Sequence, residues 1–142
     1  MSSSAAPLEN NAVADWILPA QKVYVKNAPG KGKGVFARDC IRKGEIIEHS
    51  PVLLLSADQE ELLSESGIPI KDYIFAWSDE DHSRSAAVGF GFLSLMNHSD
   101  RPNVYLSTDQ ERQVMIVRAE RDIQPHEELC FDYGVELWFE AV

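Results

Sequence analysis

Residues 30–34 read Gly-Lys-Gly-Lys-Gly, with short apolar runs on both sides, Val23-Tyr-Val25 before and Val35-Phe-Ala37 after. No other stretch restricts the fold as much. A glycine loop that binds a dinucleotide follows a strand and opens a helix within a βαβ unit. Here an extended run and the turn residues Arg42-Lys-Gly44 follow instead, which leaves no room for that helix. A phosphate-cradling P-loop is also excluded, because Val35 stands where that motif places Ser or Thr after its Gly-Lys. Taken alone, the stretch reads as a hairpin turn rather than a ligand loop.

The rest of the chain continues in short extended runs with turn punctuation. Ile46 to Leu55 is long and apolar, and Pro51 inside it predicts two strands or an edge strand. Ser56 and Gln59 form a capping box, and Gly67 suits the stop of one helix between them. Tyr73 to Trp77 reads as a strand. Val104-Tyr-Leu106 and Val114 to Val117 form a hairpin around the polar residues 108–112, and Leu129 to Phe131 is a last strand. Residues 1–18 form a weakly ordered lead-in, with Trp16-Ile17-Leu18 able to dock on the domain, and residues 19–142 form one domain. The predicted class is mainly β with short helices, without βαβ alternation.

Charge narrows the partners. Lys and Arg number 13 against 23 Asp and Glu, a net charge of −10. Neutralising phosphates takes a basic stripe, so direct nucleic-acid binding is not expected; a basic protein segment suits this chain better. No apolar run is long enough to cross a bilayer, and the first residues lack a basic-then-apolar signal, so neither membrane insertion nor secretion is expected. Cys40 and Cys130 could form one bridge, but a reduced intracellular protein is the plainer reading. His49, His82 and His126 have no partners at metal-ligand spacing, and no metal is expected.

Two polar segments remain. Asn97-His98-Ser99-Asp100 holds the residue types of a hydrolase site, but sequence neighbours cannot assemble a Ser/His/Asp triad, and no Gly-x-Ser-x-Gly elbow occurs. By itself it reads as a capped turn before Pro102-Asn103. Glu127 to Gly134 mixes a charge pair with an extended apolar stretch, and Tyr133 alone reads as a packed tyrosine with a satisfied hydroxyl. In combination these segments say more. Lys31 to Ala37, Ile41 to Glu45, Leu95-Met-Asn-His-Ser99 with Pro102-Asn103, Arg118 to Ile123, and Glu127 to Gly134 resemble, in order and spacing, the motifs of the SET-domain protein lysine methyltransferases. The resemblance runs from about residue 22 to the C-terminus.

The resemblance implies a β-clip fold of small twisted sheets, in which a C-terminal pseudoknot joins the central and last motifs. It implies S-adenosylmethionine as cofactor. Backbone around Lys33, Gly34 and Phe36 would cradle the methionine part, with Gly32 and Gly34 kept small for close approach. Asn97 would hold the amino end, His98 would contact the adenine through backbone, and Trp138 with Phe139 would form a lid. Tyr133 is the implied catalytic tyrosine, also at the cofactor. Tyr73, Phe75, Trp77 and Tyr105 are candidate walls of the lysine channel, although core packing explains them equally well. Phe131, two before the tyrosine, is expected to permit di- or trimethylation. Asp100 stands where many members have cysteine, and no C-x-C-x-x-x-x-C follows Tyr133, so the zinc-bearing tail of those members is not expected here. The implied activity is protein lysine N-methylation, most naturally of a histone in the nucleus, with a possible homodimer through Pro51 to Leu55 and Leu137 to Phe139. Three alternatives stand beside it: a non-catalytic module binding a basic peptide, methylation of a non-histone protein, and a Rossmann-type small-molecule methyltransferase, which the lack of βαβ units disfavours.

Overall fold

The computed structural model describes Ile17, residues 19–79 and residues 81–132. The start of the lead-in, Leu18, and Tyr133 to Val142 lie outside the described residues. Nine strands dominate the described residues: β1 (Val23–Ala28), β2 (Gly32–Ala37), β3 (Ile46–Leu55), β4 (Ile74–Ala76), β5 (Ala86–Gly89), β6 (Asn97–His98), β7 (Val104–Asp109), β8 (Val114–Ala119) and β9 (Glu128–Phe131). They form two sheets, ordered β1-β2-β9-β6 and β4-β5-β3-β8-β7.

The glycine stretch is a hairpin turn, tighter than the sequence suggests. β1 and β2 pair up to Ala28 opposite Gly32, leaving Pro29-Gly30-Lys31 as the connection. The Lys31 amide donates to the Ala28 carbonyl at 3.0 Å, and Gly30 has φ +72°. Proline then glycine at the two central positions is the type II signature, because only the second needs a left-handed backbone.

β3 departs from expectation, being a single ten-residue strand inside the second sheet. Its first half pairs with β8 as far as Pro51 opposite Val114, and its second half pairs with β5 from Val52 opposite Gly89. Pro51 therefore sits at the hand-off between ladders, where its missing N–H costs little, and its carbonyl still accepts from Phe90 at 2.9 Å. The apolar run divides by parity. Val52 and Leu54 pack on the core, whereas Leu53 is 53% exposed.

The helix α1 (Ala57–Ser66) has the predicted reciprocal cap. The Gln59 amide donates to Ser56 Oγ at 3.2 Å, the Ser56 amide donates to Gln59 Oε1 at 2.9 Å, and Gly67 closes the end at φ +76°. No α1 residue is buried, and the helix adds Asp58, Glu60, Glu61 and Glu65 to the surface. Tyr73 ends a 3-10 turn (Pro69–Tyr73) rather than opening a strand, because Pro69 starts a helical turn that runs up to β4. No helix among the described residues is long and apolar enough to cross a membrane.

The core lies between the sheets. Val35 and Ala37 of β2 and Leu129 and Phe131 of β9 meet Ala87, Leu106, Met115 and Val117 from the five-stranded sheet, with Trp77, Leu93 and Met96 from the connections. This packing places β6 beside β9. The pair is parallel, with Asn97 opposite Cys130 and His98 opposite Phe131, so the central and last motifs meet although some thirty residues separate them.

Candidate active site

The site is built on the face of the four-stranded sheet turned away from the core. Side chains alternate along a strand, so Leu129 and Phe131 enter the core while Glu128 and Cys130 point the other way. Asn97 joins them from β6. Its Nδ2 donates to Glu128 Oε2 at 2.8 Å and to the Lys33 carbonyl at 3.2 Å. Both amide protons are then used, and Oδ1 is the side chain's remaining acceptor. Lys31 completes the group from the β1–β2 turn, with Nζ 3.0 Å from Glu128 Oε1. The hydrogen bond to Glu128 raises the lysine's pKa, and burial, helped by the Glu128 charge, raises that of the Cys130 thiol.

Gly34 makes room for this arrangement. A Cβ there would lie 2.7 Å from Glu128 Oε2 and 3.1 Å from Asn97 Nδ2. Gly32 differs: a Cβ would meet nothing within 4 Å, but its φ is +79°. Glycine at 34 is thus a steric need, and glycine at 32 a conformational one. On the same face Phe36 stacks on Tyr24 with ring centroids 5.8 Å apart, and Lys26 Nζ stands 4.6 Å over the Phe36 ring. His98 is exposed, with Nδ1 3.6 Å from Asp132 Oδ1.

Asn103 holds the β9 side of the site. It is buried, its Nδ2 donates to the Glu128 carbonyl at 2.8 Å, and its Oδ1 accepts from the Cys130 amide at 2.8 Å. A loop thereby takes the hydrogen-bonding role of a strand along β9.

These residues fit S-adenosylmethionine, the cofactor expected from the sequence. Its amino-acid end carries an ammonium and a carboxylate. The Glu128 carboxylate and Asn97 Oδ1 are acceptors suited to the first, and the Lys31 ammonium is suited to the second. Gly34, having no side chain, lets Glu128 and Asn97 close directly against its backbone.

The structure brings Lys33, Gly34 and Asn97 to one contact region, with Phe36 farther along the same face, whereas Phe131 lies on the opposite, core-facing side of β9. Of the proposed channel aromatics, Phe75 lies against Phe131 with centroids 5.9 Å apart. Trp77 belongs to the core cluster and donates its indole N–H to Asp79 at 2.6 Å, whereas Tyr73 and Tyr105 are exposed. Tyr133 and Trp138 lie outside the described residues. Sequence reasoning gave no role to Lys31, Glu128 or Asn103, because their partners are remote in the chain. One signal was available for Glu128: it shares the strand parity of Cys130, opposite to the apolar Leu129 and Phe131.

Comparison with known proteins agrees with this geometry. The SET domain family model matches residues 32–134. A Schizosaccharomyces pombe protein named "Histone-lysine N-methyltransferase, H3 lysine-37 specific" is 35% identical over 116 residues, covering 82% of this chain and 76% of that one. The crystal structure of a Plasmodium falciparum protein matches at a TM-score of 0.61 with 30% identity, covering 80% of this chain and 94% of that chain. CpSET8 from Cryptosporidium matches at a TM-score of 0.63 with 26% identity, over 79% of this chain and 57% of that one. With both motif strands paired inside the matched span, the chain belongs to the SET-domain family.

Proposed function

We propose that this protein is a lysine N-methyltransferase that uses S-adenosylmethionine to methylate a histone. The observation that carries the reading is the junction of β2, β9 and β6, where Asn97, Glu128 and the Lys33 carbonyl converge beside Gly34. Lys31, Glu128 and Asn97 hold the amino-acid end of the cofactor, which when bound supplies a methyl group activated by a sulfonium.

The chain's own residues must deliver a neutral lysine amine. A free lysine titrates near 10.4, roughly three pH units above neutrality, so deprotonation costs about 4 kcal/mol. An apolar channel lowers that cost by disfavouring the ammonium. Phe131, 2% exposed and packed on Phe75, provides such a wall. This reading assigns to the Tyr133 hydroxyl the alignment of the amine with the methyl, and to Trp138 the lid of the site. Positioning supplies much of the remaining rate. The acids of α1 attract a basic tail. This work belongs at chromatin, in the nucleus.

The test is incubation of the purified protein with S-adenosylmethionine and core histones, read by mass spectrometry. Added mass in whole methyl steps is expected, reduced by orders of magnitude in Tyr133→Phe. Histone binding without added mass would make the domain a peptide-binding module instead. The reading includes a homodimer through the outer face of the β3–β5 pair, where Leu53 of β3 and Phe90, just after β5, are 53% and 63% exposed. Light scattering giving a mass near 15.9 kDa, not twice that, would end this part of the proposal.

A further inference from the structure

A buried carboxylate stands behind the site. Glu48 of β3 is 4% exposed, and no lysine or arginine among the described residues pairs with it. A register shift between Ile46 and Glu48 in the β3–β8 ladder marks a bulge, and Ile47 and Glu48 are both buried. A bulge re-aims a side chain in this way. Burial pushes the Glu48 pKa up, while two backbone amides oppose that shift. An uncompensated buried charge is costly, so its place in the fold calls for a reason.

Its two oxygens give one. Oε2 accepts from the Phe92 amide at 2.7 Å, and Oε1 accepts from the Leu93 amide at 3.0 Å. These amides open the 3-10 turn Phe92–Leu95 and have no partner within it. The turn closes where the Met96 amide donates to the Leu93 carbonyl at 3.2 Å, and Asn97 follows directly. Ser94 Oγ adds a second tie, donating to the Gly89 carbonyl at 2.8 Å. Space has been cleared around the carboxylate. A Cβ on Gly91 would lie 2.6 Å from Glu48 Oε2 and 2.8 Å from Ser50 Oγ. Gly91 has φ −151°, an extended backbone open to any residue, so its lack of a side chain serves the close approach of Glu48 and Ser50 and not a special backbone conformation.

We propose that Glu48 is a positioning residue for the cofactor site: its carboxylate sets the start of the turn that presents Asn97, and so controls cofactor affinity without contacting the cofactor. This rests on the reading of Asn97 as a cofactor ligand. Glu48→Gln keeps the shape but offers one acceptor where two amides need two. Its NH2 group then opposes an N–H, and the turn must shift.

The test has two arms, each compared with Val117→Ala, a core truncation on β8 directly opposite Glu48 that destabilises the domain but removes none of the hydrogen bonds of the turn. In the first arm, NMR of cofactor-free protein follows the Phe92 and Leu93 amides and the Asn97 side-chain NH2. Glu48→Gln is expected to move all three signals and speed hydrogen exchange at Phe92 and Leu93, whereas Val117→Ala leaves the Asn97 signal in place. An unmoved Asn97 signal in Glu48→Gln overturns the proposal. In the second arm, Glu48→Gln is expected to raise Kd and KM for S-adenosylmethionine about tenfold, with the histone-peptide KM within twofold. Glu48→Asp, which keeps both acceptors, recovers part of that loss. If Val117→Ala raises the cofactor KM as much at an equal loss of Tm, Glu48 acts through stability alone and the proposal falls. If the wild type does not bind S-adenosylmethionine, the functional reading fails, and the cofactor-free arm alone decides the positioning role.

Discussion

Replacing Gly34 with alanine tests the cofactor site at its tightest point. Gly34 does not occupy the left-handed region, so the added methyl brings steric cost without backbone strain. Its Cβ would stand 2.7 Å from Glu128 Oε2, 3.1 Å from Asn97 Nδ2 and 3.2 Å from Ala28 Cβ. The Ala28 methyl is buried and cannot retreat, so the Glu128 carboxylate must move away. That movement breaks the 2.8 Å bond from Asn97, a charge-assisted contact worth about 1.5–3 kcal/mol. Overpacking adds about 1–3 kcal/mol to the loss of stability. Calorimetry should therefore show the S-adenosylmethionine Kd rising about tenfold to a hundredfold. The melting temperature should fall by about 8–20 °C. The mechanism has its own signature. If the methyl acts by displacing Glu128, the effects of Gly34→Ala and Glu128→Ala on Kd will not add, because the double variant has no carboxylate left to displace. Fully additive effects, or an unchanged Kd in Gly34→Ala, would refute the reasoning.

Three further outcomes follow from the structure. Phe131→Tyr puts a hydroxyl into the apolar wall shared with Phe75, where it can hold a water in the space a methylated amine needs; the wild type should give di- or trimethyl-lysine and the variant should shift toward monomethyl. A wild type that stops at one methyl, or a variant with the same product distribution and a lower Tm, would make Phe131 a packing residue only. Asn103→Ala leaves the Glu128 carbonyl and the Cys130 amide without their side-chain partner and should cost about 2–5 kcal/mol in denaturant unfolding, whereas a loss below about 1 kcal/mol would mean that water replaces the amide. Burial and the nearby Arg112 guanidinium hold His49 below the ordinary imidazole range. The unfolded chain, titrating near 6.5, then binds more protons as pH falls through that value, so this stability is present above about pH 6.5 and is lost below it. His49→Phe should flatten the fall in denaturant midpoint between about pH 7 and pH 5.5, and an unchanged slope would assign the acid sensitivity to other groups.

What the sequence by itself determined is local. Pro29-Gly30 specified the first hairpin turn and Ser56 with Gln59 the helix start, because these residues bias their own backbone whatever the surroundings. The order of the Lys31 to Ala37, Asn97-His-Ser and Glu127 to Gly134 motifs identified the family before any contact was visible. Tertiary structure alone decided how those motifs act together. β5, Ala86-Ala-Val-Gly89, lacks the bulky residues that mark a strand and becomes one by pairing on both sides with β3 and β4. β6 is two residues long and exists only because β9 lies beside it. The Ile46 to Leu55 run stays one strand through Pro51 because two different ladders meet there. Glu48 and Asn103 are ordinary polar residues in the sequence, yet the fold buries each against amides that lie 27 to 45 positions away. Local rules read backbone preference over a few residues. A polar side chain gains its role from the remote amides and carbonyls that packing leaves without partners, and those are defined only when the two sheets have closed over the core.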